Sequence, residues 1–168
     1  MTEDRLSPPV ENPIELDRYA LSTVVYAERS NGKILLLQRA EGTAMAGLYF
    51  PPGGIVDPGE TPWVGAAREL HEETGLILAG PLSMVGCYPM FVYGQHFLQL
   101  SFRGPVTGEV STSNEHTAHR WVDPADLAQL LAPEGIETLA EGDDRVASLL
   151  GNIAEDLDRY LALITASA

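Results

Sequence analysis

Short apolar stretches rich in β-branched residues dominate the chain up to residue 122, and helical spacing takes over at three places. Residues 19–27 and 33–38 read as strands. The Asn31-Gly32 pair between them is a strong hairpin signal, because both residues accept positive φ. Residues 47–59, with Pro51, Pro52, Gly53 and Gly54, read as strand, turn and loop. A helix is predicted over 61–74, with Thr61 as N-cap, Pro62 at the first helical position and Gly75 as the terminating residue. Residues 82–90 and 95–103 read as strands joined near Tyr93-Gly94, and 119–122 as a short strand leading into a helix over 124–131. Residues 133–145 read as an acidic, glycine-containing loop. Val146, Leu149, Leu150, Ile153, Leu157 and Leu161 then repeat at helical spacing, which predicts a closing helix over 146–165. Strands on both sides of a central helix indicate an α/β or α+β class with a mixed sheet.

At 168 residues the chain suits one domain, assigned to 18–168, preceded by a flexible arm over 1–17 that carries Pro8, Pro9 and Pro13. A hydrophobic content of 45% provides for a sizeable core. The net charge of −14 argues against general nucleic-acid binding and against an anionic membrane surface, both of which call for basic residues. The N-terminal residues lack the apolar core of a signal peptide, and no apolar run reaches membrane-spanning length, so a soluble, cytoplasmic protein is expected. The single cysteine, Cys87, forms no intramolecular disulfide and is expected to be a small buried hydrophobe.

Within the helix over 61–74, Glu69, Glu72 and Glu73 stand at i, i+3 and i+4 and share one face. Trp63, Ala66, Ala67, Leu70 and Thr74 form the expected core stripe opposite. Like charges at this spacing cost a helix roughly a few tenths of a kcal/mol per pair, which Arg68 offsets in part by pairing with Glu72 or Glu60. Such a cluster makes poor sense for stability and good sense for a hard cation, since Mg²⁺ takes oxygen ligands and shares them with substrate phosphates. Gly53 and Gly54 allow close backbone approach and free a carbonyl to face the same site.

Read as a string, the segment is Gly54-x5-Glu60-x7-Arg68-Glu69-Leu70-x-Glu72-Glu73-x-Gly75-Leu76. This resembles, without exception, the signature of the Nudix (MutT-like) hydrolases. The resemblance is tight over 54–76 and loose over 18–132. It implies an α/β/α sandwich around a mixed sheet, here with an extra C-terminal helix. It also implies hydrolysis of a nucleoside diphosphate linked to another moiety, with Mg²⁺ or Mn²⁺ as cofactor. Carried over residue by residue, Glu69, Glu72 and Glu73 are the expected metal-binding carboxylates, with the Gly53 carbonyl as an extra ligand. Arg68 and Glu60 become the pair that holds the loop against the helix. A further acid from a later loop often completes such sites, and Glu115, six residues before Trp121, is the candidate. The general base stays open between Glu69 and Glu115.

Around this motif, Arg39 stands to reach a substrate phosphate or to cap the sheet edge, and Tyr49 and Phe50 stand to line a base pocket or to fill the core. Phe91, Tyr93 and Phe97 are further aromatics that suit either role, while His71, His96, His116 and His119 receive none. The lead-in from Leu48 to Gly54 is similar to that of the nucleoside triphosphate cleaners, apart from Leu48 and the doubled proline. The first expectation is therefore cleavage of a nucleoside triphosphate, oxidised or otherwise non-standard ones included, to monophosphate and pyrophosphate. Hydrolysis of ADP-ribose or another nucleotide sugar is the alternative, and Pro89 its slightly displaced marker; Tyr93 stands at the corresponding marker position for dinucleoside polyphosphates. A non-catalytic nucleotide-sensing domain is the reading from another class. Homodimer formation through the arm or the C-terminal helix, and packing of both on their own domain, stay open.

Overall fold

The computed structural model describes residues 18–43, 45–92, 94–130 and 133–166. The expected arm over 1–17 and Tyr93 lie outside the described residues. Among the described residues, eight strands and four helices follow one another: β1 (Ala20–Glu28), β2 (Ile34–Arg39), β3 (Tyr49–Phe50), β4 (Gly53–Ile55), α1 (Pro62–Thr74), β5 (Ile77–Leu78), β6 (Ser83–Val92), β7 (Gln95–Thr107), β8 (His116–Val122), α2 (Pro124–Leu130), α3 (Pro133–Ala140) and α4 (Asp144–Ala166).

The sheet is mixed because β1 and β7 run parallel along nine residue pairs, whereas every other pairing is antiparallel. The hairpin at Asn31-Gly32 forms as expected, with Gly32 at φ 80° and the Arg29 N–H donating to the Lys33 carbonyl. β2 stays paired with β1 only at the hairpin end, at Glu28 and Ile34. Further along, β4 takes its place beside β1 (Val24 against Gly53) and β3 pairs with β2 (Leu37 against Phe50). The sheet thereby splits into two arms, and the Pro51-Pro52 corner bridges them, its Pro52 carbonyl accepting from the Val25 N–H.

Period-2 alternation sends neighbouring residues of β1 and β2 to opposite sides. Val25, Ala27, Leu35 and Leu37 pack with Ala66, Leu70 and Leu76 from α1 and just beyond it. Tyr26, Ile34 and Leu36 pack with Leu150, Ile153, Leu157 and Tyr160 of α4. Both faces of the sheet are thus covered by helices, which gives the α/β/α sandwich expected from the sequence. Each fully buried Leu or Ile in these clusters contributes about 1.5–3 kcal/mol. Among the described residues no helix is long and apolar enough to cross a membrane.

Three sequence expectations are corrected. Residues 133–140 form α3 rather than a loop, because Ile136 and Leu139 pack onto the α4 cluster and outweigh the acidic, glycine-containing composition. Cys87 is exposed, not buried: on β6 the neighbouring even-numbered Tyr88 and Met90 turn inward, so Cys87 and Pro89 face out. Trp63 leaves the core stripe of α1 and is 46% exposed, resting one edge of its ring on Phe102 at 5.2 Å.

One charge lies within the α4 interface. Asp156 is fully buried, with the hydroxyls of Ser101 and Tyr26 as its polar neighbours. Burial raises its pKa, while the hydroxyls of Ser101 and Tyr26 and the charge of Arg159 pull the other way. A raised carboxyl costs the fold stability only above its ordinary titration range. Asp156→Asn is therefore expected to raise Tm near neutral pH by about 2–4 °C for each kcal/mol recovered. The gain should vanish toward low pH in a melting series; a lower Tm at neutral pH contradicts this account.

Candidate active site

α1 begins and ends on its own sequence signals. The Thr61 hydroxyl accepts from the Val64 N–H at 3.4 Å, and Gly75 adopts φ 69°, with its N–H donating to the His71 carbonyl. The 13 residues between make about 3.6 turns at 3.6 residues per turn, placing Glu69, Glu72 and Glu73 along the edge that meets β4. Arg68 organises this edge. Its Nε and Nη2 form a fork on Glu60 at 3.0 and 2.9 Å, its Nη1 reaches Glu69 at 2.9 Å and Glu72 at 3.1 Å, and Nη2 also donates to the Ile55 carbonyl. The expected Arg68–Glu60 pair is present, and the guanidinium holds Glu60 below the usual carboxylate range. Glu69 lies directly over Gly54, where a Cβ would come within 2.5 Å of its carboxyl carbon.

Glu73 is the buried member of the trio, 7% exposed. The Gly53 N–H donates to its Oε2 at 2.8 Å, and His116 Nε2 lies 3.6 Å from its Oε1. Burial is the main reason that its carboxyl is pushed up to about 7, with the Glu69 and Glu115 charges adding to it and Arg39 opposing. Burial also raises Glu69, more than Arg68 lowers it. His116 is itself buried and its pKa is lowered by that burial and by Arg39, which keeps the ring neutral; its Nδ1 meets the Ser113 hydroxyl at 3.3 Å. No sequence spacing marks His116, since its partner Glu73 is 43 positions away and only folding joins them.

The loop before β8 is docked onto the end of α1. Ser111 and Ser113 N–H groups donate to the Thr74 and Glu73 carbonyls, and the Glu115 carbonyl accepts from Ala40. The first two bonds use carbonyls that a helix end leaves unpaired, and together the three bring Glu115 beside the motif. Its carboxylate faces Arg39 at 3.8 Å.

A cavity of about 300 Å³ opens beside Glu73, His116 and Arg39 and runs across the sheet toward Leu149 and Ile153 of α4. Phe50 and Phe97 line it. Tyr49, one residue before Phe50, does not: its hydroxyl meets Gln38 at 3.3 Å and its ring lies under Arg120. Phe91 is 64% exposed. The cavity also reveals residues to which the sequence assigned nothing, Ser22, Tyr88 and Gln99. The one available signal was the alternation of Gln99 and Ser101 with Leu98, Leu100 and Phe102 in the middle of the strand.

The donors on this edge are all hard oxygens, and burial leaves Glu69 and Glu73 reluctant to ionise, a condition that an adjacent cation relieves. As the side chains stand, Arg68 lies between Glu69 and Glu72, and no three ligating side chains among the described residues meet at one point. Glu69, Glu72, Glu73 and Glu115, with the Gly53 carbonyl, are the groups that could hold a divalent ion.

Without metal, Glu73 is protonated in both the folded and unfolded chain below pH 4.5 and resists ionisation only in the fold above it. Stability is therefore expected to fall as pH rises through the window up to about 7 and then level off. Glu73→Gln keeps an acceptor for the Gly53 N–H and should fall less than wild type in chelator-treated melts, by on the order of 3 kcal/mol across the window. Parallel curves would remove the buried-carboxylate account of Glu73.

Residues 18–142 match the model of the NUDIX domain. A MutT-like protein of Streptomyces ambofaciens is 30% identical over 131 residues, covering 77% of this chain and 75% of that one. A CTP pyrophosphohydrolase of Escherichia coli (strain K12) is 34% identical over 110 residues, covering 65% of this chain and 81% of that one. The crystal structure of the MutT protein from Methanosarcina mazei Go1 superposes with a TM-score of 0.61 at 30% identity, covering 76% of this chain and 94% of the other. With the Arg68-centred carboxylate edge, the sandwich and these likenesses in agreement, the chain belongs to the Nudix family of MutT-like hydrolases.

Proposed function

We propose that this Nudix hydrolase is a divalent-metal-dependent pyrophosphohydrolase that cleaves a nucleoside triphosphate to the monophosphate and pyrophosphate. The carrying observation is the edge of α1: Glu69 and Glu72 held by the Arg68 guanidinium, Glu73 held by the Gly53 N–H in the wall of a cavity, and Glu69 and Glu73 both pushed toward the neutral form by burial. Glu69, Glu72, Glu73, Glu115 and the Gly53 carbonyl would hold Mg²⁺ or Mn²⁺. When bound, such an ion neutralises diphosphate oxygens and acidifies water. Of the two candidate proton acceptors, Glu69 and Glu115, Glu69 is preferred because it lies against the Gly54 loop, whereas the Glu115 carboxylate faces Arg39. Arg39, which lines the cavity, is the residue placed to meet a phosphate oxygen. His116, neutral and behind Glu73, positions that carboxylate rather than reacting.

The relative that acts on CTP supports the triphosphate reading. The nucleotide-sugar alternative loses its sequence marker, since Pro89 faces outward on β6 and is absent from the cavity wall. The retained carboxylates disfavour a purely sensing domain.

Chromatography of products from a nucleotide panel with Mg²⁺, then Mn²⁺, is expected to show monophosphate and pyrophosphate. Two monophosphates from ADP-ribose at a higher rate would replace this reading with the nucleotide-sugar one. Glu72→Gln should lower kcat by about a hundredfold or more with no loss of Tm, because Glu72 is the exposed member of the trio. Gly54→Ala should cut activity as well, by displacing Glu69 from its seat. Wild-type turnover in the Glu72 variant eliminates the proposed metal site.

A further inference from the structure

The cavity wall is mostly apolar, yet one polar row crosses its floor. Tyr88 of β6 pairs with Gln99 of β7, and Gln99 pairs with Ser22 of β1, so three cross-strand neighbours present their side chains on one face. All three line the cavity. The next row, Met90 against Phe97, is apolar. Gln99 and Ser22 are 6% and 8% exposed. Gln99 Nε2 donates to the Tyr88 hydroxyl at 2.8 Å, and that hydroxyl faces Ser101 on its other side. With its amino end engaged, the planar amide of Gln99 is left with its carbonyl end for a ligand. The Ser22 hydroxyl beside it is buried and has no hydrogen-bond partner. A buried polar group left unpaired costs stability, and a ligand that pairs it recovers that cost. Two residues along β1, Val24 is paired with Gly53, whose N–H holds Glu73, so the row and the carboxylate edge adjoin.

We propose that Gln99 and Ser22 are specificity-determining residues that read an amino-bearing edge of a nucleobase, the amino group donating to the Gln99 carbonyl and to the Ser22 oxygen. Phe97 and Phe50 supply the apolar wall that a planar ring requires. A base without the amino group leaves both oxygens unpaired in the complex, and the penalty falls on that base alone. The inference rests on the nucleotide reading of the site.

The test is steady-state kinetics with Mg²⁺ on two matched pairs: CTP against the pyrimidin-2-one riboside triphosphate, and ATP against the purine riboside triphosphate. The members of each pair differ by the exocyclic amino group. Wild type is expected to favour the amino-bearing member by about tenfold or more in kcat/KM. Gln99→Leu and, independently, Ser22→Ala should bring the ratio to within about twofold by lowering kcat/KM for the amino-bearing member. Ser22→Ala removes an unpartnered hydroxyl and does not threaten the fold. Wild-type turnover with equal rates within each pair, or variants that keep the wild-type ratio, overturns the assignment of the row and leaves the hydrolase reading intact. Turnover of none of the four by folded wild type overturns the assignment of the row, and turnover of no member of the wider nucleotide panel overturns the hydrolase reading as well.

Discussion

One guanidinium organises the reactive edge of this protein. Glu60, Glu69 and Glu72 all bond to Arg68, which also reaches the Ile55 carbonyl. Without it, three carboxylates would crowd a single turn and a half of helix with nothing fixing the preceding loop. Through it, the like-charge repulsion becomes a network whose members are set relative to β4 and to Gly53 and Gly54. A lysine could not do the same, because only a planar fork can meet Glu60 with two parallel bonds and still reach two further partners.

The second constraint is the split in the sheet. β2 leaves β1 after the hairpin end, and β3 and β4 fill the gap from opposite sides. The cavity lies on the α4 face of β1, β6 and β7, with the carboxylate edge at its mouth and Leu149 and Ile153 at its far wall. Polar residues on that face carry a cost. Ser22 is buried there with its hydroxyl unpartnered, and on the opposite face, toward α1, Thr23 and Trp121 each bury an unpartnered polar atom among Leu, Val and Phe. Both faces of the sheet carry a packed core, and the cavity occupies the end of the α4 face that this packing leaves open.

Much of this was legible in the sequence because the signals are local. The Thr61 cap, Pro62, the Gly75 terminus and the i, i+3, i+4 carboxylates all lie within one helix and its flanks, where spacing converts directly into geometry. The hairpin at Asn31-Gly32 and the alternation of β1 and β2 are local in the same sense. What misled was also local: the acidic, glycine-containing composition of 133–140 suggested a loop, and Cys87 suggested a core position. In both places the outcome depended on a partner distant in sequence, α4 for the first and the in-out phase of β6 against β7 for the second.

By itself, then, the sequence determined the family, the reactive helix and the identity of its carboxylates, since each depends on contacts no further than a few residues apart. The tertiary structure alone decided that His116 stands behind Glu73, that Phe50 and not Tyr49 enters the cavity, and that Tyr88, Gln99 and Ser22 form one row. Those relations are set by strand register and by which face of the sheet each side chain takes. A shift of one residue in register would reverse them without changing a single local signal.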